Sequence, residues 1–301
     1  MASAFYIVGP TASGKSAVAL ALAARIGGEV VNADAFQIYR GLDIVTAKPS
    51  AEERARVPHH LFDALDPTET CDAQRYRDLA LPVLKEIDAR GRVPIVVGGS
   101  GLYVKTLTHG LAELPKGDEA TRAQFSNLTL DEKVTTLLQL DPNAGVNVNL
   151  RNPRYVERAL EVCLLTGRPQ SELRRTFPDV KLDARGVFLD WDRAQLYDRI
   201  NERVLGMIRA GLLEEVRTLG TLSDTAEKAI GIREMRRVIA GEMTLAEATE
   251  AIQQATRRYA KRQVTWFRRE KWLRTIPLTP QTNPEATVET ILDSFPELKP
   301  R

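Results

Sequence analysis

Short apolar runs alternate along the chain with longer segments in which apolar side chains recur every three or four positions. Apolar runs of this length that end at glycine or at a polar residue are typical of buried strands. The pattern predicts strands at residues 4–8, 29–34, 94–97, 186–191 and 273–278.

The segments between these strands have the pattern of helices. Residues 16–26 are rich in Ala and Leu, and residues 72–90 carry apolar side chains on one face, with Pro82 expected to kink that helix. A later helix begins at a capping box of Thr244 and Glu247 and continues into RRYAKRQVTWFRREKWLR. Strands that alternate with helices predict a parallel sheet of the α/β class, which binds its ligands at the carboxyl ends of the strands.

One part of the chain lacks any strand pattern. From residue 113 to residue 185 the sequence is helical in character, with stretches such as LDEKVTTLLQL and NPRYVERALEV. We therefore predict a small helical insertion at 113–185, between the two parts of an α/β core at 1–112 and 186–301.

Composition limits the class of protein without assigning a function. The 301 residues are 43% apolar and carry a formal net charge of only +2, so a nucleic-acid contact would have to come from a local patch. Cys71 and Cys163 form no CxxC pair, which argues against a disulfide framework and a zinc site. No apolar run is long enough to span a membrane, and the N-terminus lacks a basic segment, so we expect a cytoplasmic protein without a signal peptide.

The sequence GPTASGKS at residues 9–16 matches the phosphate-binding P-loop, G-x-x-x-x-G-K-S. It follows a predicted strand and opens a predicted helix, which is the context that a true P-loop requires. The backbone amides of Ala12 to Ser16 suit a diphosphate, Lys15 neutralises phosphate oxygens, and the Ser16 hydroxyl is a candidate Mg²⁺ ligand. The motif alone is compatible with an ATPase, a GTPase, a kinase or an enzyme whose leaving group is diphosphate.

An acid at the end of the second predicted strand is the clearest candidate catalytic residue. A P-loop enzyme that hydrolyses a nucleotide normally carries an acid on another strand of the sheet, but the third predicted strand ends in Gly98, Gly99 and Ser100. Asp34, which ends EVVNAD, is therefore a candidate metal-binding acid or a candidate general base. A purely structural cap is the third alternative.

Seven blocks of sequence occur in a characteristic order. They are GPTASGKS, NADAFQIYRGLDIVTAKP, PHHLFD, VGGSGLYV, NPRYVERALEV, AIGIREM and KRQVTWFRR. In this order they resemble the tRNA dimethylallyltransferase family, the isopentenyl transferases of tRNA. The resemblance implies a P-loop core with an inserted helical domain, and it implies that a dimethylallyl group moves from its diphosphate to N6 of the adenosine 3′-adjacent to the anticodon. The P-loop would then hold the leaving diphosphate, with Mg²⁺ as cofactor.

The resemblance also implies roles for individual residues. The target amine must lose a proton as the new carbon–nitrogen bond forms, so Asp34 is the implied general base, with Thr11 as a second hydrogen-bond partner near the reacting centre. Lys15 stabilises the leaving group, and Ser16 is the implied Mg²⁺ ligand. The implied diphosphate-binding residues are Gly9, Pro10, Thr11, Ala12, Ser13, Gly14, Lys15 and Ser16, with Arg199 and Arg203 as further candidates. For the two arginines, an exposed helix face is the alternative.

The implied contacts with the tRNA anticodon stem-loop are spread over the chain. The adenosine must leave the stack of the anticodon loop, and Gln37 and Ser100 are candidates to hold it. The candidate tRNA-binding residues are Asp34, Ala35, Phe36, Gln37, Ser100, Arg122, Asn152, Arg154, Arg158, Lys228, Gly231, Arg233, Lys261, Arg262, Gln263 and Arg268. For each single Arg or Lys the alternative is a solvated charge.

A basic segment near the C-terminus supports an RNA partner. Residues 257–274 contain eight Lys or Arg residues and one Glu, with Tyr259, Trp266, Phe267 and Trp272 among them. Trp266 either stacks on a base or packs in the core, and we expect the core.

The chain departs from the family pattern at four positions. Ala35 replaces a serine, Ser100 and Ser16 each replace a threonine, and Ile232 replaces an aromatic residue. None of these changes removes a charged or acid–base group, but Ile232 removes a candidate stacking contact with RNA.

Other functions are compatible with parts of the sequence. An ATP-dependent small-molecule kinase would use the P-loop but not the basic aromatic segment. An isopentenyltransferase of free adenine nucleotides would not need the helical insertion. A non-catalytic RNA-binding module would leave Asp34 and the P-loop idle. We expect a monomer, and we expect His59 and His60 to be structural rather than metal ligands.

Overall fold

Six parallel strands form one sheet in the computed structural model, which describes residues 4–110, 114–115, 117–174 and 184–299. The strands are β1 (Phe5–Val8), β2 (Glu29–Asn32), β3 (His59–His60), β4 (Pro94–Gly98), β5 (Arg185–Trp191) and β6 (Leu273–Leu278). They lie in the order β3-β2-β4-β1-β5-β6, and each neighbouring pair is parallel. The predicted α/β class and parallel sheet are therefore confirmed.

The helices account for most of the remaining described chain. They are α1 (Lys15–Ile26), α2 (Ala51–Arg56), α3 (Ala73–Ala89), α4 (Gly101–Thr108), α5 (Glu119–Ala123), α6 (Leu130–Leu140), α7 (Ala144–Asn147), α8 (Pro153–Thr166), α9 (Gln170–Arg174), α10 (Arg193–Arg209), α11 (Leu212–Thr218), α12 (Ile232–Ile239), α13 (Leu245–Phe267) and α14 (Pro284–Ser294). Single 3-10 turns lie at Ala226–Lys228 and Pro296–Leu298. α3 continues through Pro82, so the proline does not break the helix. Within the described ranges no helix is both long and apolar enough to cross a membrane.

The central strands are buried on both faces. In β1 the side chains of Phe5 and Ile7 belong to one apolar cluster, and those of Tyr6 and Val8 belong to another. Successive side chains of a strand point to opposite faces, so each face of the sheet packs against its own layer. This explains why the strands could be predicted as continuous apolar runs.

The carboxyl ends of β1, β2 and β4 bring three loops together. Val8 is paired with Gly98, and Asn32 with Val97, so the loops that follow these strands begin at the same edge of the sheet. A side chain at Gly98 would overlap the backbone of Ala33, which explains the glycine at this position. The P-loop, Asp34 and the glycine-rich turn after β4 are therefore neighbours.

The chain divides into two compact units. One comprises residues 1–108 and 182–301, and the other comprises residues 109–181. The smaller unit contains α5 to α9, and its core is formed by apolar side chains such as Phe125, Leu137 and Leu160.

Candidate functional site

The P-loop is turned so that its carbonyl groups face the protein. The carbonyl of Pro10 accepts hydrogen bonds from the Ser13 amide (3.2 Å) and from Lys15 Nζ (3.3 Å). The backbone enters the left-handed region at Ala12 (φ 64°) and at Gly14 (φ 86°). The amides of Lys15 and Ser16 begin α1 and so have no acceptor within that helix. They are available to an anion, which the helix dipole also favours.

Trp191 and Arg199 hold the loop from outside. Trp191 Nε1 donates to the carbonyl of Ser13 (3.0 Å), and Arg199 Nε donates to the carbonyl of Ala12 (2.8 Å). The Arg199 guanidinium lies over the Trp191 ring, 4.3 Å from its centroid. Burial lowers the pKa of Arg199. Sequence reasoning missed Trp191, because nothing in GVFLDW separates a loop support from an ordinary core aromatic residue.

Two partly buried cations flank a single carboxylate. Burial lowers the pKa of Lys15 from 10.5 to about 8, with Asp34 opposing the change and Arg203 adding to it. Burial also lowers the pKa of Arg203, again opposed by Asp34. Arg203 Nη2 donates to the carbonyl of Thr46 (3.2 Å). Since the cations outnumber the carboxylate, the site favours an anionic ligand.

Asp34 is fixed by its own backbone surroundings. The Asp34 amide donates to Asn32 Oδ1 (2.9 Å), and Asn32 Nδ2 donates to the Asp34 carbonyl (3.2 Å). Asp34 Oδ1 accepts a hydrogen bond from the Phe36 amide (3.0 Å). The described residues provide no hydrogen bond to Oδ2, so this oxygen is available to a substrate.

Residues predicted to hold a displaced nucleotide also support the loops. Ser100 Oγ accepts from the Ala35 amide (3.1 Å). Gln37 Nε2 donates to the carbonyls of Thr46 (3.0 Å) and Ala47 (3.1 Å). Because Nε2 is engaged in these two bonds, a contact of Gln37 with the displaced nucleotide stays a prediction, and it would have to use Oε1.

These groups line one pocket together with apolar side chains. Its empty space, including the open solvent at its mouth, is about 710 Å³. The polar and charged lining residues are Thr11, Lys15, Ser16, Asp34, Gln37, Thr46 and Arg203. The apolar lining residues are Phe36, Val45, Val204, Met207, Ala229, Ile230 and Ile252, and Thr256 and Tyr259 complete the lining. A ligand with an anionic head and a short hydrocarbon tail fits this combination.

Glu215 is a second support that the sequence did not reveal. Its carboxylate accepts three successive amides, those of Asp43 (3.0 Å), Ile44 (2.7 Å) and Val45 (2.8 Å). These bonds hold the loop that supplies Val45 and Thr46 to the pocket. An acid on the surface of a helix gives no sequence signal for such a role.

The arginines predicted to contact RNA in the smaller unit share a buried acid. Arg122 Nε (2.8 Å) and Arg158 Nη1 (2.6 Å) both bind Glu161, whose side chain is only 2% exposed. Asn152 caps α8 through the Arg154 amide (3.1 Å), while the Arg154 side chain is exposed. RNA contacts by Arg122 and Arg158 stay predictions, but these residues already neutralise Glu161.

The cations predicted to contact RNA from the C-terminal half lie at the surface. The side chains of Lys261, Arg262 and Arg268 are exposed, as are those of Lys228 and Arg233. Arg268 is also paired with Asp190 (3.0 Å).

The aromatic residues beside these charges differ in solvent exposure. Trp266 is 38% exposed whereas Phe267 is buried in the core. The expectation that Trp266 packs in the core is therefore wrong: the core-facing position of this turn belongs to Phe267.

Two further predicted tRNA-binding positions lie inside the protein. Gln263 is 4% exposed and binds other backbone groups of the protein, which does not suit a contact with RNA phosphates. Gly231 is buried with φ 114° at the start of α12. The adjoining Ile232 is fully buried, so the aromatic residue of the family pattern is replaced here at a core position rather than at a surface for stacking.

Comparison with known proteins agrees with this geometry. The family model described as IPP transferase matches residues 37–270. The chain is 41% identical over 290 residues to a tRNA dimethylallyltransferase of Akkermansia muciniphila, covering 96% of this chain and 98% of that protein. It is 47% identical over 280 residues to a tRNA dimethylallyltransferase of Geobacter sulfurreducens, covering 89% and 90%.

Solved structures give the same result. The full-length tRNA isopentenylpyrophosphate transferase of Bacillus halodurans is similar with a TM-score of 0.73 and 36% identity, over 99% of this chain and 97% of that one. A eukaryotic dimethylallyltransferase acting on tRNA is similar with a TM-score of 0.85 and 26% identity, over 99% and 80%. Since the family model spans most of the sequence and the relatives align over nearly their whole length, this chain belongs to the IPP transferase family.

Proposed function

We propose that this protein transfers a dimethylallyl group from dimethylallyl diphosphate to N6 of the adenosine 3′-adjacent to the anticodon of tRNA. The observation that carries the proposal is the pocket that Lys15 and Arg203 line together with apolar side chains. The two cations suit the diphosphate, and the apolar side chains suit the five-carbon group. Family membership supports the same chemistry.

In this mechanism the pocket assists both bond breaking and bond making. The bond between the allylic carbon and the diphosphate oxygen breaks, and the P-loop amides, Lys15 and Arg203 stabilise the charge on the departing oxygen. The N6 nitrogen forms the new bond to carbon, and Asp34 Oδ2 accepts its proton. The apolar side chains of the pocket keep water away from the allylic carbon, because water would otherwise compete with N6 as the nucleophile.

A Mg²⁺ ion fits the donor set near the P-loop. The ranges that the structure describes contain no cluster of three or more His, Cys, Asp or Glu side chains that could hold a metal, so the protein alone builds no closed cage there. Mg²⁺ usually keeps several waters and binds through substrate phosphates and one or two protein oxygens. We propose Ser16 Oγ as the protein ligand. When bound, the ion would neutralise charge on the leaving diphosphate.

The assembly state and compartment belong to the same proposal. We propose that the protein acts as a monomer in the cytoplasm. Both cysteines are free and buried, as in proteins of the reducing cytoplasm.

One assay separates this function from its alternatives. The protein is incubated with Mg²⁺ and with each pairing of dimethylallyl diphosphate or ATP with unmodified tRNA or adenosine monophosphate, and the products are analysed by mass. We expect a prenylated nucleoside only from dimethylallyl diphosphate with tRNA. Prenylated adenosine monophosphate would favour the free-nucleotide enzyme, and ATP turnover without tRNA would favour a kinase.

The exposed basic side chains of α13 are expected to set the salt dependence of tRNA binding. Each lost phosphate contact should reduce the slope of log affinity against log salt by about 0.7. We therefore expect a flatter slope for the double variant Lys261→Ala, Arg262→Ala, with binding of dimethylallyl diphosphate unchanged. Arg268 is left intact because it pairs with Asp190.

A matched control carries the same loss of charge elsewhere. Arg56 and Lys85 are exposed and are not among the predicted tRNA-binding residues. The double variant Arg56→Ala, Lys85→Ala should keep the wild-type slope. Equal slopes for both double variants would show that Lys261 and Arg262 are only solvated charges.

A further inference from the structure

One buried amide on α13 connects two loops of the site. Gln263 Oε1 accepts a hydrogen bond from the Thr11 amide (2.9 Å), and Gln263 Nε2 donates to the carbonyl of Gly99 (2.9 Å). The two residues follow β1 and β4, which are adjacent strands. Because both ends of the amide are engaged and the side chain is 4% exposed, Gln263 has little freedom to move.

The glycine-rich turn after β4 is shaped to receive α13. A Cβ atom at Gly99 would overlap the Gln263 amide, and a Cβ atom at Gly101 would overlap the Trp266 indole. Gln263 and Trp266 are three positions apart and so lie on the same side of the helix. The glycines are thus explained by close approach of α13.

The contact of Gln263 with Thr11 has a consequence for the P-loop. The Thr11 amide is directed towards Gln263 and is therefore not a donor to the diphosphate. Fixing this amide also fixes where the Thr11 side chain lies in the pocket that it shares with Asp34 and Lys15. On the other loop, Ser100 follows Gly99 and accepts the amide of Ala35, which follows Asp34.

We propose that Gln263 is a positioning residue for the reacting centre. Its amide holds Thr11 and the Gly99–Ser100 turn at a fixed separation, and through them it sets the position of Thr11 relative to Asp34. It does so without touching RNA or donor. This inference rests on the proposed transfer reaction, because it assigns Gln263 to the same site.

The first test compares two glutamines of α13. Gln263→Leu removes both hydrogen bonds at similar volume. Gln253→Leu is the matched control, because Gln253 lies on the same helix and donates to the carbonyl of Asn201 (3.3 Å), and neither residue is part of the pocket lining. Misplacement of reacting groups typically costs up to about 100-fold in rate. We expect Gln263→Leu to lower kcat by about 10–100-fold with saturating tRNA and donor, with the Kd for tRNA unchanged, and Gln253→Leu to keep the wild-type kcat.

Two outcomes of this test would overturn the proposal. A raised Kd for tRNA with unchanged kcat would make Gln263 an RNA contact. A lowered Tm with unchanged kcat well below that Tm would make it only a packing residue. If wild-type protein itself gave no prenylated tRNA, the proposed function would fail instead, so the two failures are distinguishable.

The second test uses a change of protonation at constant shape. In Gln263→Glu a protonated carboxyl group can accept from the Thr11 amide and donate to the Gly99 carbonyl, as the glutamine does. The ionised form cannot donate, and burial should raise the pKa of this carboxyl into the range of the assay. The ratio of variant to wild-type kcat should therefore rise as the pH is lowered from about 8 to about 6.

Taking the ratio of the two kcat values removes the pH dependence that the variant shares with the wild type. A ratio that stays constant over this range would contradict the positioning role. This variant also decides the question if Gln263→Leu does not fold.

Discussion

Asp34→Asn is expected to slow dimethylallyl transfer by roughly 10²–10⁴-fold, the loss typical of a missing general base. The substitution keeps the local structure, because asparagine retains the Oδ1 that accepts the Phe36 amide. The amide nitrogen that replaces Oδ2 cannot accept the proton of N6. Single-turnover rates with saturating tRNA and donor measure this step directly.

Binding measurements separate the base from a metal-binding acid. For a base, the Kd for tRNA and the dependence of the rate on Mg²⁺ concentration should stay close to wild type. A rate restored by high Mg²⁺ would instead favour the metal-binding acid. A turnover number for Asp34→Asn near that of wild type would exclude the base role.

Local signals were sufficient to predict five of the six strands and the position of the P-loop after the first of them. The strands are apolar runs because they are buried on both faces, and the P-loop has a fixed spacing whose backbone conformation requires Gly14 at φ 86°. β3 was missed because it has only two residues, His59 and His60, which is too short for any periodicity. The fold could therefore be predicted where sequence and backbone are locally linked.

Side-chain placement within α13 depended on the interior that the helix meets. The basic neighbours of Gln263 suggested a surface position, yet Gln263 lies four positions before Phe267, and both are buried. This spacing is that of one helix face, so a signal for a buried Gln263 was present. Hydrophobicity alone could not decide between Trp266 and Phe267, because each is a large aromatic residue.

Other contacts could not be predicted because their partners are distant in sequence. Arg122 lies 39 positions from Glu161, and Trp191 lies 178 positions from Ser13. Nothing in the composition near either residue indicates its partner. Such pairings are set by tertiary packing, which explains why several supports of the candidate site were not recognised.

Lys15→Met is expected to have opposite effects on stability and on catalysis. Lys15 is partly buried, and the hydrogen bond of its ammonium to the Pro10 carbonyl is long at 3.3 Å. The lowering of its pKa from 10.5 to about 8, for which desolvation is the largest cause, corresponds to a net cost of about 3 kcal/mol for the charged form in the absence of an anion. Methionine fills a similar volume without the charge, so the free energy of unfolding should rise by up to about 3 kcal/mol.

Catalysis should fall in the same variant. Loss of a group that stabilises developing negative charge typically costs about 10²–10³-fold in rate, and we expect a decrease of this size in kcat/KM for dimethylallyl diphosphate. Lys133→Met is an informative contrast. Lys133 is buried and pairs with Glu157 (2.7 Å), so its replacement should lower stability rather than raise it.

The pH dependence of the free energy of unfolding tests independently whether the Lys15 charge destabilises the fold. Below about pH 8 the folded wild type carries the full cost of the Lys15 charge, and between about pH 8 and 10.5 the unfolded chain binds the extra proton. This group therefore makes the stability of the wild type rise with pH across that window. The gain in stability from Lys15→Met should be largest below the window, shrink across it and disappear above it. Diphosphate gives the ammonium a partner and should bind wild type more tightly than the variant. Urea unfolding of both proteins with and without diphosphate measures the effect. A variant less stable than the wild type at pH 7 would show that the Lys15 charge stabilises the fold even without a bound anion.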